Sequence, residues 1–359
     1  MFACTAPQRS HSIHTPRCAS RPRARADLTA ARAVEHKPSV VVIGAGVLGL
    51  TCALTLAERD KYDVTVIAEK FSPDTTSDVA AAFWYPFLVR PKERADAWAL
   101  QSYSWFVELR AREGGERCGV EMRRCRELLK TTDAAVPGWA SGIEYFAELS
   151  KDDVPASYVG GFEFDVPVVE MPKFLPWLVD ACKSRGVTFE RRKLDRVEDA
   201  QAPLVINCAG LGARDMFDDD EIVPIRGQVV YIKQDCDVGM FDDSSTTDLA
   251  YLIPRSDVTV LGGTAQVGSF DVQPSAEDEE DIIRKCQRLW PELDRSLIVG
   301  TRVGLRPSRS TVRLELDDKV YGDTRVVHCV GHGGAGVTLA RGSALEVASI
   351  VDCILARAA

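Results

Sequence analysis

The sequence predicts an α/β protein: a Rossmann-like dinucleotide-binding domain with an inserted α+β domain built on an antiparallel sheet. Three observations predict it. Val40-Val41-Val42-Ile43 runs straight into Gly44-Ala45-Gly46-Val47-Leu48-Gly49, an uncharged helical pattern continues to Ala57, and Val64-Thr65-Val66-Ile67 follows with Glu69. Much later, Leu204-Val205-Ile206-Asn207-Cys208-Ala209-Gly210 is again a buried strand reaching a glycine turn, so the first domain resumes after an insertion. Residues 227–232, 250–255 and 258–263 read as antiparallel strands of the inserted part.

A parallel strand covered on both faces reads as an apolar run such as 40–43. Gly44 makes the tight turn, Gly46 lets a pyrophosphate approach the backbone, and Gly49 lets helix and strand pack closely. Unpaired N–H groups at the helix N-terminus favour the phosphates. Glu69 lies 20 residues after Gly49, where a carboxylate accepts hydrogen bonds from a ribose. The rival reading of the 18 uncharged residues 40–57 as a membrane span fails on the three glycines and the strand that follows.

The chain has 359 residues and a net charge of −9. Residues 1–37 carry seven basic side chains against Asp27 and Glu35, a net of +5, which leaves −14 for the body. An acidic body argues against a nucleic-acid partner. Eleven cysteines with no C-x-x-C pair argue against a zinc site and a disulfide framework, and for a reducing compartment; most suit small buried hydrophobes. The Arg-rich, acid-poor leader has the composition of an organelle transit peptide. The mature protein is then expected to start near Lys37 in a plastid or mitochondrion, the alternative being a tail without an address and a cytoplasmic or peroxisomal protein.

After the second strand, Phe71 to Pro86 places Thr75-Thr76-Ser77 before alanines, which suits a loop approaching a phosphate. An ordinary cap at Thr76 or Ser77 fits equally well. Residues 90–131 read as helical, with Trp98, Leu100, Tyr103, Phe106 and Leu109 as a core stripe. Residues 139–169 are irregular and short-stranded, 172–183 form a helix ended by Gly186, and 187–189 start a strand. Asp242-Asp243-Ser244-Ser245 falls in a loop. Ser275 caps a helix whose acidic first turn complements the dipole better than it suits a metal, and Pro291 closes it. Gly304-Leu305-Arg306-Pro307-Ser308-Arg309 leads into the alternating strand 312–316. A final strand, 326–331, reaches a glycine-rich turn and a helix from about Thr338 to Leu355.

These pieces together resemble the D-amino-acid oxidase family of flavoenzymes, from about Ser39 to Ala359. The segments that carry the resemblance are 42–50, Thr75-Thr76-Ser77-Asp78-Val79-Ala80-Ala81 with Trp84 and Pro86, and Asn207-Cys208-Ala209-Gly210. Further on stand Arg226-Gly227-Gln228, Tyr251-Leu252-Ile253-Pro254-Arg255, 304–309 and Gly331-His332-Gly333-Gly334-Ala335-Gly336-Val337-Thr338. The resemblance implies a discontinuous FAD-binding domain (38–86, 168–222 and 318–359) and a substrate domain (87–167 and 223–317). It assigns FAD to Gly44, Ala45, Gly46, Val47, Leu48, Gly49, Glu69 and Lys70, to Thr75, Thr76, Ser77, Ala81, Ala82 and Phe83, and to Gly333, Gly334, Gly336, Val337 and Thr338. Arg306 and Tyr251 would take the substrate carboxylate, and the Gly334 carbonyl would face its amine. For Tyr251, a strand residue packed on a partner is the other reading.

The implied activity is oxidation of D-amino acids with O2 to 2-oxo acids, ammonia and hydrogen peroxide, hydride passing from Cα to flavin N5. No side-chain base is needed. His328 is read as structural, and His332 as either a flavin contact or a satisfied loop histidine. A homodimer is compatible, and neither a membrane nor a metal is expected. Residues 232–250 lack the loop tyrosine of vertebrate members, which implies a more open site. Ala82, Phe83, Tyr85 and Ala335 depart from the family's usual residues, and Ala356 to Ala359 lack the peroxisomal tripeptide. The alternatives are a D-aspartate oxidase, needing a second cation for which Arg255 is the candidate, a glycine- or sarcosine-type oxidase, an NAD-dependent dehydrogenase, or a non-catalytic binding protein.

Overall fold

Strand β1 (Ser39–Ile43) is apolar on both faces because both are covered, and it ends at the glycine turn that starts helix α1 (Val47–Ala57). Strand β2 (Asp63–Ala68) returns parallel to it. The computed structural model describes residues 37–356, so the transit-peptide reading of the leader lies outside the described residues.

Next come helix α2 (Lys92–Glu113), a single turn α3 (Gly115–Cys118) and strand β3 (Val120–Leu129). The helical expectation for 90–131 is therefore corrected: the helix stops at Glu113. Gly114 and Gly119 adopt φ of 80° and 70°, a left-handed backbone that breaks the helix on either side of α3. The charges of 120–129, which read as a helix surface, pair across strands instead: Arg126 bonds Glu163 at 2.7 Å, and Arg124 holds Glu163 and Asp165. In α2 the expected stripe is core, with Trp98, Tyr103, Phe106 and Leu109 buried.

Strands β4 (Phe146–Leu149) and β5 (Gly160–Val169) precede helix α4 (Met171–Lys183). Then follow β6 (Thr188–Arg191), β7 (Leu204–Asn207) and the short α5 (Gly212–Met216). Strands β8 (Val223–Ile232), β9 (Gly239–Asp242), β10 (Ala250–Pro254), β11 (Thr259–Gly262) and the two-residue β12 (Gln266–Val267) come before helix α6 (Ala276–Leu289). Strand β13 (Ile298–Leu316), strand β14 (Arg325–His332) and helix α7 (Gly336–Ala356) complete the chain.

One sheet runs through the molecule in the order β4-β5-β3-β9-β10-β11-β8-β13-β14-β7-β1-β2-β6, with β12 beside β8. From β14 to β6 every neighbour is parallel, and this parallel half carries the glycine turn. On the other side the pairs are antiparallel apart from β3 with β9. Strand β13 is the seam: its first part pairs with β8 and its end with β14. It starts at Ile298, well before the expected strand 312–316, because the glycine-containing run 298–308 pairs along all of β8.

Helices α1 and α7 pack side by side, and α7 also lies against α2, where a Cβ on Gly342 would sit 2.3 Å from the Trp98 Cα. Trp84 is fully buried and donates Nε1–H to the Ala99 carbonyl at 2.8 Å. Truncating a core tryptophan of this kind costs about 3–5 kcal/mol. No helix among the described residues is long and apolar enough to cross a membrane, and α1 has 11 residues, which disposes of the membrane-span reading of 40–57.

Candidate active site

The glycine turn meets its expected geometry. Gly44 has φ of 106°, and a Cβ there would sit 2.3 Å from the Cys208 carbonyl oxygen. A Cβ on Gly49 would sit 1.9 Å from the Gly44 carbonyl, so any larger residue forces the helix off the turn. Gly46 caps α1 without a side chain, and no acid occupies the first turn, which leaves the positive helix end uncompensated. Val47 N–H donates to Ser77 Oγ at 3.0 Å, so the 75–77 loop lies on the mouth of the turn. That loop is built by buried Asp78, which accepts from Thr75 N–H at 2.9 Å, Thr75 Oγ1 at 2.6 Å and Ser72 Oγ at 2.6 Å. Glu69 and Lys70 are exposed just past the end of β2, beside the turn.

Three links run from this cradle, to the seam, to β5 and to the head of α7. Thr76 Oγ1 donates to the Leu305 carbonyl at 3.2 Å, next to Arg306. Residues Ala81, Ala82 and Phe83 dock on β5, where the Ala82 carbonyl accepts from Val169 N–H at 2.8 Å. Tyr85 N–H then donates to Thr338 Oγ1 at 3.2 Å, and that hydroxyl donates to the Tyr85 carbonyl at 3.1 Å. This ties the segment to the head of α7, where Gly333, Gly334, Gly336 and Val337 form the turn and first residues. Again no acid occupies the first turn.

Tyr251, Arg306 and Gly334 come together. Tyr251 is 8% exposed, and its ring lies over Gly262, where a Cβ would be 2.0 Å from Cζ. Arg306 lies over Gly227, where a Cβ would be 2.2 Å from Nη1, and it donates to the Thr264 carbonyl at 2.9 Å. Two glycines on the sheet floor thus make slots for a phenol and a guanidinium. Burial raises the Tyr251 pKa, partly offset by neighbouring Arg306, so the hydroxyl keeps its proton as a donor. A Cβ on exposed Gly334 would lie 3.7 Å from Arg306 Cδ and 3.6 Å from the Phe87 ring.

Residues 39–350 match the model of the family described as FAD dependent oxidoreductase, DAO. The chain belongs to that family. It is 38% identical over 318 residues to the D-amino-acid oxidase of Rubrobacter xylanophilus, covering 88% of this chain and 96% of the relative. It is 34% identical over 327 residues to the human D-aspartate oxidase, covering 88% and 95%. The glycine oxidase structure from Bacillus cereus shares the fold, with a TM-score of 0.72 at 19% identity over 89% of this chain and 96% of that one. The cradle of this FAD-dependent oxidoreductase fits such a cofactor: glycines stand where a Cβ would collide, and both helix ends facing the site lack an acid.

Both described histidines of this flavoprotein are buried. His332 is buried with Nε2 3.0 Å from Ser343 Oγ, and burial pushes its pKa down to about 3. His328 bridges Asn207 and Asp317, each at 2.9 Å. Arg226 of the Arg-Gly-Gln run is structural, bonding Asp278, Gln266 and the Asp271 and Gln273 carbonyls.

Four features escaped the sequence reading. In sequence Gly227 reads as part of a strand and of the Arg226-Gly227-Gln228 run, and Gly262 as a strand residue, and neither shows the slot it makes. Strand β9 was missed, and with it the alignment of Phe241 beside Tyr251. Glu127 and Asp243 approach one another around the Tyr85 hydroxyl, which donates to Asp243 Oδ2 at 3.3 Å. Cys52, Cys208 and Cys329, far apart in sequence, place their sulfurs within 4.8 Å of one another.

Proposed function

We propose that the chain is a D-amino-acid oxidase, converting D-amino acids, O2 and water to 2-oxo acids, ammonia and hydrogen peroxide. The observation that carries this reading is the meeting of Arg306, Tyr251 and Gly334 at the sheet seam, beside the head of α7. When bound, FAD would supply the two-electron acceptor for the substrate's hydride and would be reoxidised by O2. The protein's part is orientation. A guanidinium fork pairs both carboxylate oxygens, the Tyr251 hydroxyl donates to the same group, and the Gly334 carbonyl accepts from the amine. Holding Cα in a near-attack geometry supplies about 7–11 kcal/mol at best. The substrate amine reacts neutral, which leaves no task for either described histidine.

The FAD contacts proposed are Gly44, Ala45, Gly46, Val47, Leu48 and Gly49 for the pyrophosphate, with Thr75, Thr76 and Ser77, and Glu69 and Lys70 for the ribose. Ala81, Ala82, Phe83, Gly333, Gly336, Val337 and Thr338 would border the flavin. The parallel half would be the FAD-binding domain (38–86, 168–222 and 318–359), and the rest the substrate domain. Import into a plastid or mitochondrion rests on the leader composition.

A D-aspartate preference has weaker support. Arg255, the candidate second cation, pairs through Nε and Nη2 with Asp257 and stands just past the end of β10, four residues and about 13 Å from Tyr251. Peroxide assays of the FAD-loaded protein on matched D- and L-amino acids test the function. Release from D-amino acids alone is expected, and release from the L-series instead would overturn it.

A further inference from the structure

We propose that Glu127 and Asp243, with the Tyr85 hydroxyl, form the far end of the substrate side-chain pocket and select D-amino acids with a cationic side chain. The inference rests on the D-amino-acid oxidase reading and names its substrate class. Glu127, Phe241, Tyr251 and Gly262 are consecutive register partners across β3, β9, β10 and β11, so they share one face of the sheet. Glu127 therefore sits two strands from Tyr251, roughly 10 Å, on the side away from Arg306. A substrate anchored by its carboxylate at Arg306 and Tyr251 would extend its side chain along this row.

The lining suits an aliphatic stem with a charged head. Phe241 lies 5.2 Å from Phe83 and 4.6 Å from Tyr85, ring to ring, and aromatic faces favour a cation. Tyr85 runs from the head of α7 to the acids, its backbone on Thr338 and its hydroxyl on Asp243. At the far end donors are short. Glu127 is 8% exposed and its Oε2 has no hydrogen-bond partner, while the one proton of the neighbouring Tyr85 hydroxyl goes to Asp243. Asp242 offers no relief, since it faces the other way and is bonded to Tyr158, Ser244 and Lys130.

No basic side chain among the described residues forms an ion pair with Glu127 or Asp243, and burial raises both carboxyl pKa values, with repulsion from Asp243 adding at Glu127 and from Asp242 at Asp243. A guanidinium or ammonium brings the missing donors and the missing charge. A second substrate carboxylate would meet repulsion there.

D-arginine and D-citrulline match in shape and differ in charge. The proposal expects kcat/KM of the FAD-loaded enzyme to favour D-arginine by at least about tenfold, chiefly through KM. Glu127→Gln and Asp243→Asn should each pull the ratio toward unity. The flavin spectrum reports whether each variant is intact, and should one lose flavin, the other and the parent's ratio decide. A parental ratio near one, or a ratio unmoved in both variants, overturns the assignment while D-citrulline turnover keeps the oxidase reading standing. Failure of every D-amino acid, neutral or cationic, overturns both.

Discussion

Replacing Glu127 by Gln should stabilise the protein, in a pH-dependent way. Burial and the neighbouring Asp243 push the Glu127 carboxyl from its usual 4.5 up to about 7, with the Tyr85 hydroxyl offsetting part of the rise. A carboxyl whose pKa is raised on folding holds its proton more tightly in the folded state. It carries no penalty below pH 4.5, and the penalty grows as pH rises and is complete above about 7. At 1.36 kcal/mol per unit, the shift from 4.5 to about 7 amounts to about 3 kcal/mol. Gln keeps the shape and has no proton to lose. E127Q should therefore exceed its parent by about 3 kcal/mol above neutral pH, a few degrees in Tm, and the gap should close as the pH falls toward 4.5. Thermal unfolding of both proteins across that range, at one fixed excess of FAD because bound ligand shifts Tm, measures it. A gap independent of pH, or one that widens toward acid, would refute the reasoning.

Arg306→Leu should keep FAD yet lose about 2–5 kcal/mol of transition-state binding for D-amino acids, with Arg306→Lys intermediate and Tyr251→Phe mildest, at about 0.5–1.5 kcal/mol; steady-state kinetics give the order, and an active Arg306→Leu sinks the carboxylate assignment. Gly46→Val should lose flavin and melt earlier, because its side chain blocks the pyrophosphate approach and a ligand at a thousandfold excess contributes about 4 kcal/mol; a yellow variant with the parent's Tm would move the pyrophosphate elsewhere. Residues 1–40 fused to a fluorescent reporter should reach a plastid or mitochondrion, and a diffuse cytosolic signal would end that reading.

The local parts of the fold were legible because their causes are local. Gly44 needs a positive φ and Gly49 has no room for a Cβ, so the turn announces itself in nine residues, 42–50. Arg306 and Tyr251 emerged from the family resemblance, whereas what makes room for them did not. Gly227 and Gly262 act through strands that become neighbours only in the sheet. Strand β3 hid behind its arginines, whose partners Glu163 and Asp165 lie on β5. Glu127 and Asp243 meet only because β3 and β9 pair in parallel, and β9, at four residues, is too short to show a period. The three clustered cysteines carry the same lesson: each is an unremarkable buried residue, one in a helix, one in a strand and one just past a strand's end.

The central claim is that Arg306, Tyr251 and Gly334 present the Cα of a D-amino acid to bound flavin. Rapid anaerobic mixing of the FAD-loaded protein with D- and L-enantiomers of one amino acid tests it without the oxygen step. D-arginine should bleach the flavin absorbance in a single exponential phase whose rate saturates with concentration, and L-arginine should leave it yellow. Bleaching by the L-enantiomer, or by neither enantiomer of any amino acid tried, would contradict the account.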